Sequence, residues 1–266
     1  MKPLVVEEVR VELDGALVVG GLSLEVGAGE WLGVIGPNGA GKTTFLRAVA
    51  GLVPFTGSIR LFGDEVAGLG RRDVALRLAL VPQTPVIPPH MTVLDYVLIG
   101  RTPHLGYTGA PEPSDVDACR AALARLDVAQ LADRQLGSLS GGERQRAVLA
   151  RAMAQDARLI LLDEPTTALD VGAQQQVLEL VADLRESRAL TVLSAMHDLT
   201  VAGQYPDRLI LLDGGREAMS GSPAEVLTEE TIARHYGASV RVVSDGGSVA
   251  VVPLRPRVET EERVAP

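Results

Sequence analysis

Apolar and polar residues alternate along the first third of the chain in short runs that stop at glycine. "LVVEEVRVEL" and "GLSLEVGAGE" read as strands, and "WLGVI", Trp31 to Ile35, is a continuous apolar run of buried-strand length. The period then changes: "TTFLRAVAGL" repeats its apolar positions at helical spacing through Phe45, Leu46 and Val49. "GSIRLFG" and "LALVPQ" predict two more strands. From about 84 to 156 the pattern breaks up. "TPVIPPHMTVLDYVLIGRTPHLGYTGAPEPSD" holds six of the sixteen prolines, which predicts loops and short helices. Helical patterns follow near 115–127 and 141–154, with Ser114 and Asp117 resembling a capping box that opens the first. Buried strands return in "RLILLDEP", "LTVLSAM" and "DRLILLDGG", with "VGAQQQVLELVADLRES" a helix between them. Strands alternating with helices predict an α/β fold around a largely parallel sheet, with a helical insertion at 84–156. From Val240 the chain alternates briefly, then ends in "PRVETEERVAP", a charged tail expected to be disordered at its end.

Composition narrows the function classes. Only 3% of residues are aromatic, so Leu, Val, Ile and Ala must fill the core. The formal charge of −9 argues against a phosphate-backbone binder, and no nucleic-acid partner is expected. Cys119 is the single cysteine, which excludes an intramolecular disulfide and a cysteine-based zinc site; its helical spacing with Val116, Leu123 and Leu126 makes it a core residue. No window approaches the roughly 18 uninterrupted apolar residues of a membrane span, and no signal peptide is expected. A role at a membrane would need other chains to do the spanning.

The strongest chemical signal is "GPNGAGKTT": Gly36, Pro37, Asn38, Gly39, Ala40, Gly41, Lys42, Thr43 and Thr44 match G-x-x-x-x-G-K-[ST] between a predicted strand and a predicted helix. Backbone N–H groups that converge on phosphate oxygens need tight turns and therefore glycines, and the helix N-terminus adds favourable partial charge. Lys42 can reach the β- and γ-phosphates, and the Thr43 hydroxyl can ligate Mg²⁺. "LILLDEP" places Asp163 and Glu164 at the end of a buried strand, where ligands bind in open α/β sheets. Asp163 suits a Mg²⁺ ligand, and Glu164 a base orienting water toward the γ-phosphate. His197, after "LTVLSAM", would reach the same place, with Glu164 holding its other side. His90, His104 and His235 lack such a placement. Gln83 closes "LALVP" and could offer its amide oxygen to Mg²⁺ and its NH₂ to the attacking water.

"LSGGERQR", Leu139 to Arg146, has no metal ligands and no nucleophile–base pair. With the other motifs it resembles the ATP-binding cassette family, over roughly residues 1–240. That resemblance implies a P-loop ATPase with an antiparallel β subdomain, a core at 1–83 and 157–240, a helical subdomain at 84–156, and a C-terminal extension at 241–266, partly disordered. It implies ATP and Mg²⁺ as ligands and a second copy of the chain as partner. Ser140, Gly141, Gly142 and Glu143 would then face the γ-phosphate bound by the other copy, across a dimer loop containing Ala168 to Asp170. Lys42, Thr43, Gln83, Asp163, Glu164 and His197 fall at the family's other motif positions. One departure is clear: the family usually stacks an aromatic ring on adenine, and "VELDGALVV" has none, Leu13 lying nearest.

"TVLDYVLIGRTPHLG", Thr92 to Gly106, resembles cassettes of importers for iron–siderophore, haem or cobalamin. This implies an ATPase at the cytoplasmic face of a membrane, bound to permease subunits and, through them, to a substrate-binding protein. The alternatives are a cassette of another importer or exporter, or a non-transport cassette. Repair cassettes need a long coiled coil and ribosomal ones two cassettes in one chain, and neither pattern is present. A P-loop kinase for small molecules leaves residues 139–146 unexplained.

Overall fold

The computed structural model describes residues 1–105, 109–167, 169–246 and 248–255. Its centre is a six-stranded sheet in the order β10-β9-β3-β8-β7-β6. Five strands are parallel: β3 (Trp31–Ile35), β6 (Leu78–Val81), β7 (Leu159–Asp163), β8 (Thr191–Ala195) and β9 (Arg208–Asp213). β10 (Arg216–Gly221) returns antiparallel at the edge. A second sheet, ordered β2-β1-β4-β5, is antiparallel and built from β1 (Leu4–Leu13), β2 (Ala16–Val26), β4 (Thr56–Leu61) and β5 (Asp64–Glu65). The expected largely parallel sheet and antiparallel sheet are both present.

Successive strand residues point to opposite faces, so the central sheet feeds two cores. Trp31, Ile35, Ile160, Leu162 and Val192 face a helical layer of α3 (Val93–Leu98), α4 (Pro113–Arg125), α5 (Gly141–Ala154) and α6 (Val171–Arg188), where Cys119 and Leu123 are fully buried. Leu32, Val34, Leu159, Leu161 and Leu193 face α1 (Lys42–Val49) and the antiparallel sheet, with Phe45, Leu46 and Ile59 between them. The short α2 (Arg71–Ala75) leads into β6. Trp31, the largest core side chain, donates its indole N–H to Ser194 Oγ at 2.8 Å and tilts against Tyr205.

Two details depart from expectation. The capping box of α4 is not Ser114 and Asp117: Pro113 occupies the first turn, Glu112 is the N-cap, and Asp115 accepts the Glu112 N–H at 3.0 Å. Proline fits the first helical position because its missing N–H is unpaired there anyway, so the cap falls ahead of Pro113 rather than at Ser114. Asp115, now inside the fold, also accepts from Arg101 Nε at 2.9 Å. At the other end, α7 (Leu199–Ala202), α8 (Pro223–Val226) and α9 (Glu229–Tyr236) lead to a hairpin of β11 (Val240–Asp245) and β12 (Ser248–Pro253). Val240, Val249 and Val251 join the larger core, so the extension expected from 241 shares its first strand and its packing with the rest of the chain. The tail expected to be disordered, 256–266, lies outside the described residues.

Replacing Trp31 by Phe leaves the Ser194 hydroxyl buried without its donor and removes indole volume. A loss of roughly 2–3 kcal/mol is expected, measured as a lower urea midpoint at unchanged slope.

Candidate functional site

The four strands β3-β8-β7-β6 are neighbours and parallel, and their last residues align: Val34 pairs with Ala195, Ala195 with Asp163, and Leu162 with Val81. The segments that leave these strand ends therefore lie along one sheet edge. They are the Gly36–Gly41 loop, the Met196–Asp198 turn, the Asp163–Glu164 pair and Gln83. Their proximity comes from parallel pairing, not from sequence distance.

The loop after β3 is compact. A side chain at Gly36 would collide with the Leu212 carbonyl, and one at Gly41 would lie 2.7 Å from the Val18 carbonyl. Gly41 also has φ +95, the left-handed region, as it enters α1. Ala40 donates its N–H to Pro37 O at 3.1 Å, while Asn38 and Gly39 remain exposed. Lys42 is buried and bends back over the loop, its Nζ donating to Gly36 O at 2.8 Å and Pro37 O at 3.3 Å. Burial lowers its pKa, and the negative charges of Glu164 and Asp163 oppose that shift. The result is a desolvated ammonium held at a helix N-terminus, with Thr43 and Thr44 in the first turn.

Thr43 Oγ1 donates to Asp163 Oδ1 at 2.9 Å and ties α1 to the end of β7. Asp163 is almost fully buried, and that burial raises its pKa; the Thr43 hydrogen bond opposes the shift, and Glu164 adds to it. Gln83 Nε2 donates to Glu164 Oε2 at 2.7 Å, and Thr167 Oγ1 approaches the same oxygen at 3.2 Å. Glu164 has φ +49, a conformation that non-glycine residues rarely adopt, and its N–H is fixed to Ala195 O at 3.1 Å. The sequence does not announce that backbone conformation, nor the Thr167 contact. His197 is exposed and shares a small cleft with Glu164, Thr166 and Asp198. Gln83 and Thr167 share Glu164 Oε2, and among the described residues no hydrogen bond joins the Glu164 carboxylate to His197. His104 and His235 are engaged elsewhere, with Gln155 O and Asp213.

The donors at the sheet edge are hard oxygens: the Thr43 hydroxyl, the Asp163 carboxylate and the Gln83 amide oxygen. Among the described residues no group of three or more His, Cys, Asp or Glu could hold a metal. The set of hard oxygens with a single carboxylate fits Mg²⁺, which is commonly held by one or two carboxylates and completes its shell with water and phosphate.

Ser140 and Gly141 are exposed at the start of α5. Ser140 Oγ accepts the Glu143 N–H at 3.3 Å, and Glu143 accepts the Ser140 N–H at 2.8 Å. This capping box explains the serine and the glutamate locally. The spacing S-x-x-E carries that signal, and the sequence reading passed over it. Gly141 is exposed and Gly142 half-buried, and as first-turn residues their amides have no partner inside the helix. Their nearest neighbours are Leu169 and Ala173, not the Gly36–Gly41 loop. Asp170 caps α6 by accepting the Ala173 N–H at 2.8 Å; Ala168 lies outside the described residues. Tyr236, at the end of α9, is half-buried, and among the described residues its buried hydroxyl oxygen has no hydrogen-bond partner; burial pushes its pKa up, and the nearby Gly36 amide opposes that shift.

The family described as ABC transporter matches residues 19–167, more than half the chain. The chain belongs to the ABC transporter family. It is 43% identical over 250 residues to the cobalamin import ATP-binding protein of Halobacterium salinarum, covering 93% of this chain and 62% of that protein. It therefore spans less than two thirds of that relative's length. With the hemin import ATP-binding protein of Streptomyces coelicolor it shares 42% identity over 249 residues, covering 92% of this chain and 88% of the relative. Among solved structures, it is similar to a chain of an inward-facing transporter described as metal-chelate type, with a TM-score of 0.84, 31% identity, and coverage of 96% and 98%.

Burial makes the Asp163 carboxylate costly. Its pKa is higher folded than unfolded, so its contribution to stability declines as pH rises through the acidic range. Asp163→Asn keeps an oxygen for Thr43 and removes the charge. It should raise Tm at pH 7, by roughly 2–4 °C per kcal/mol recovered, with the gain vanishing below about pH 4, where aspartate is protonated in both states. Scanning calorimetry at the two pH values reads the difference.

Proposed function

We propose that this chain is the ATP-hydrolysing subunit of an importer that takes up an iron chelate, haem or cobalamin through a separate permease. The observation that carries the hydrolytic reading is the pair of hydrogen bonds Thr43–Asp163 and Gln83–Glu164, which gather the phosphate loop and the ends of β6 and β7. The Gly36–Gly41 amides and Lys42 bind the phosphates. Thr43 and Asp163, with the Gln83 amide oxygen, would hold Mg²⁺, which would supply positive charge to the phosphates when bound. Glu164 accepts a proton from the attacking water, and Gln83, donating to Glu164, fixes the direction of that carboxylate. His197, free of Glu164, offers an N–H to the γ-phosphate side. Fixed hydrogen bonds and charges of this kind contribute positioning and electrostatic stabilisation, which dominate phosphoryl transfer.

The open Gly141 and Gly142 amides support a head-to-tail dimer of two copies. They form an anion-binding helix start that lies away from this chain's own phosphate loop, and a second copy supplies the phosphate they would meet. A permease partner is supported by two features. No helix among the described residues is long and apolar enough to cross a membrane. In addition, a groove lined by Leu52, Val66, Leu69, Val74 and Leu80 opens to solvent, with Leu52 61% exposed. In this reading residues 84–156 form the helical subdomain that relays dimer closure to the permease at the cytoplasmic face. The substrate group rests on the names of the relatives, and the cobalamin and hemin importers among them support it.

Glu164→Gln keeps the hydrogen-bonding shape and removes the base. ATP hydrolysis should fall by about 10²–10⁴-fold, with ATP retained in a dimer detected by size exclusion; turnover at the native rate refutes the base assignment. Leu13 is 36% exposed at the end of β1, in place of the usual aromatic ring. Base stacking is worth about 1–3 kcal/mol per base. ATP and GTP should therefore bind with affinities within about tenfold of one another, measured by calorimetric titration, and strong ATP preference overturns this point.

A further inference from the structure

β12 belongs to a two-stranded hairpin, and among the described residues one of its edges has no strand beside it. Its backbone groups at that edge are satisfied by α7. Thr200 Oγ1 accepts the Val251 N–H at 3.1 Å and donates to Val251 O at 3.0 Å, so one hydroxyl replaces a whole strand partner at that residue. One turn on, the Gly203 carbonyl, an open acceptor at the helix C-terminus, takes the Val249 N–H at 2.9 Å. Gly203 must be glycine for this approach, because a Cβ there would collide with the Val249 carbonyl. Val249 is fully buried and Val251 nearly so, which seats the strand. The other end of α7 is equally fixed: Asp198 Oδ1 accepts the N–H groups of Thr200 and Val201 at 2.9 and 3.2 Å. Asp198 follows His197 directly.

We infer that the C-terminal hairpin, acting through Thr200, is the positioning element for His197. The catalytic reading of His197 comes from the proposed function, and this inference rests on it. The hairpin clamps α7, α7 is locked to Asp198, and Asp198 sets where the exposed imidazole stands at the sheet edge. Thr200 is a positioning residue that touches neither nucleotide nor water.

Thr200→Val removes both hydrogen bonds at nearly constant shape, and Thr200→Ser keeps them. Thr200→Ala deletes the hydroxyl without placing a new methyl against the Val251 carbonyl, and it serves if the valine variant does not fold. In the full-length chain with Mg·ATP, Thr200→Val should lower kcat about tenfold while KM stays within about twofold, because a small misplacement affects the reacting geometry more than binding. Thr200→Ser should restore kcat. Independently of turnover, the imidazole C–H resonance of His197, assigned by its loss in His197→Gln, should move in Thr200→Val and stay in Thr200→Ser. The resonances of His90, His104 and His235 should hold. An unchanged kcat in Thr200→Val, an equal loss in Thr200→Ser, or an unmoved His197 resonance overturns the clamp. A wild-type chain that does not hydrolyse ATP overturns the proposed function instead, and the resonance comparison in the nucleotide-free chain still decides whether Thr200 positions His197.

Discussion

The parallel register of β3, β8, β7 and β6 is the constraint on which the site depends. A parallel ladder brings the carboxyl ends of its strands to one edge, and each strand here ends within a residue or two of a polar group. A one-residue slip in any of these pairings would exchange side chains between the two cores and move Asp163 or Gln83 off that edge. The apolar faces on both sides of the sheet therefore hold the chemistry in place, since the burial that fixes the register also fixes the separation of Thr43 and Asp163.

The same burial works against the charges it positions. Lys42 and Asp163 are both desolvated, with pKa values pushed toward their neutral forms. Neither reaches full compensation from a direct ion pair, and each is instead held by hydrogen bonds, Lys42 by loop carbonyls and Asp163 by Thr43. Glu164 adds a left-handed backbone at a non-glycine position. Buried charge and backbone strain at one strand edge are the pattern of a site tuned for ligand charge at the expense of stability. An incoming polyanion with its cation would relieve both desolvated groups together.

The start of α5 shows how local and intermolecular roles share one segment. Ser140 and Glu143 close a capping box that stabilises the helix within the chain, and the two glycines between them leave amides uncovered. Small residues there keep the helix start approachable from outside. At the far end of the chain the hairpin does the reverse: its free edge is closed by a helix, and the backbone groups that could pair with another strand are used internally.

Much of this was legible in the sequence. Apolar periodicity located the strands and the long helices, because period 2 and period 3.6 are local properties of the chain. The phosphate loop could be read because its glycines, lysine and threonine are contiguous and answer one steric demand. What the sequence did not decide were choices made by neighbours distant along the chain. The α4 cap shifted to Glu112 because Pro113 and Arg101 favour that start. Glu164 Oε2 is shared by Gln83 and Thr167, which lie 81 and 3 residues away in the chain. The hairpin joined the core because α7 offers it Thr200 and the bare backbone of Gly203. Hydrogen-bond partners of this kind depend on which surfaces the packed sheet brings together, and no spacing within a single segment encodes that.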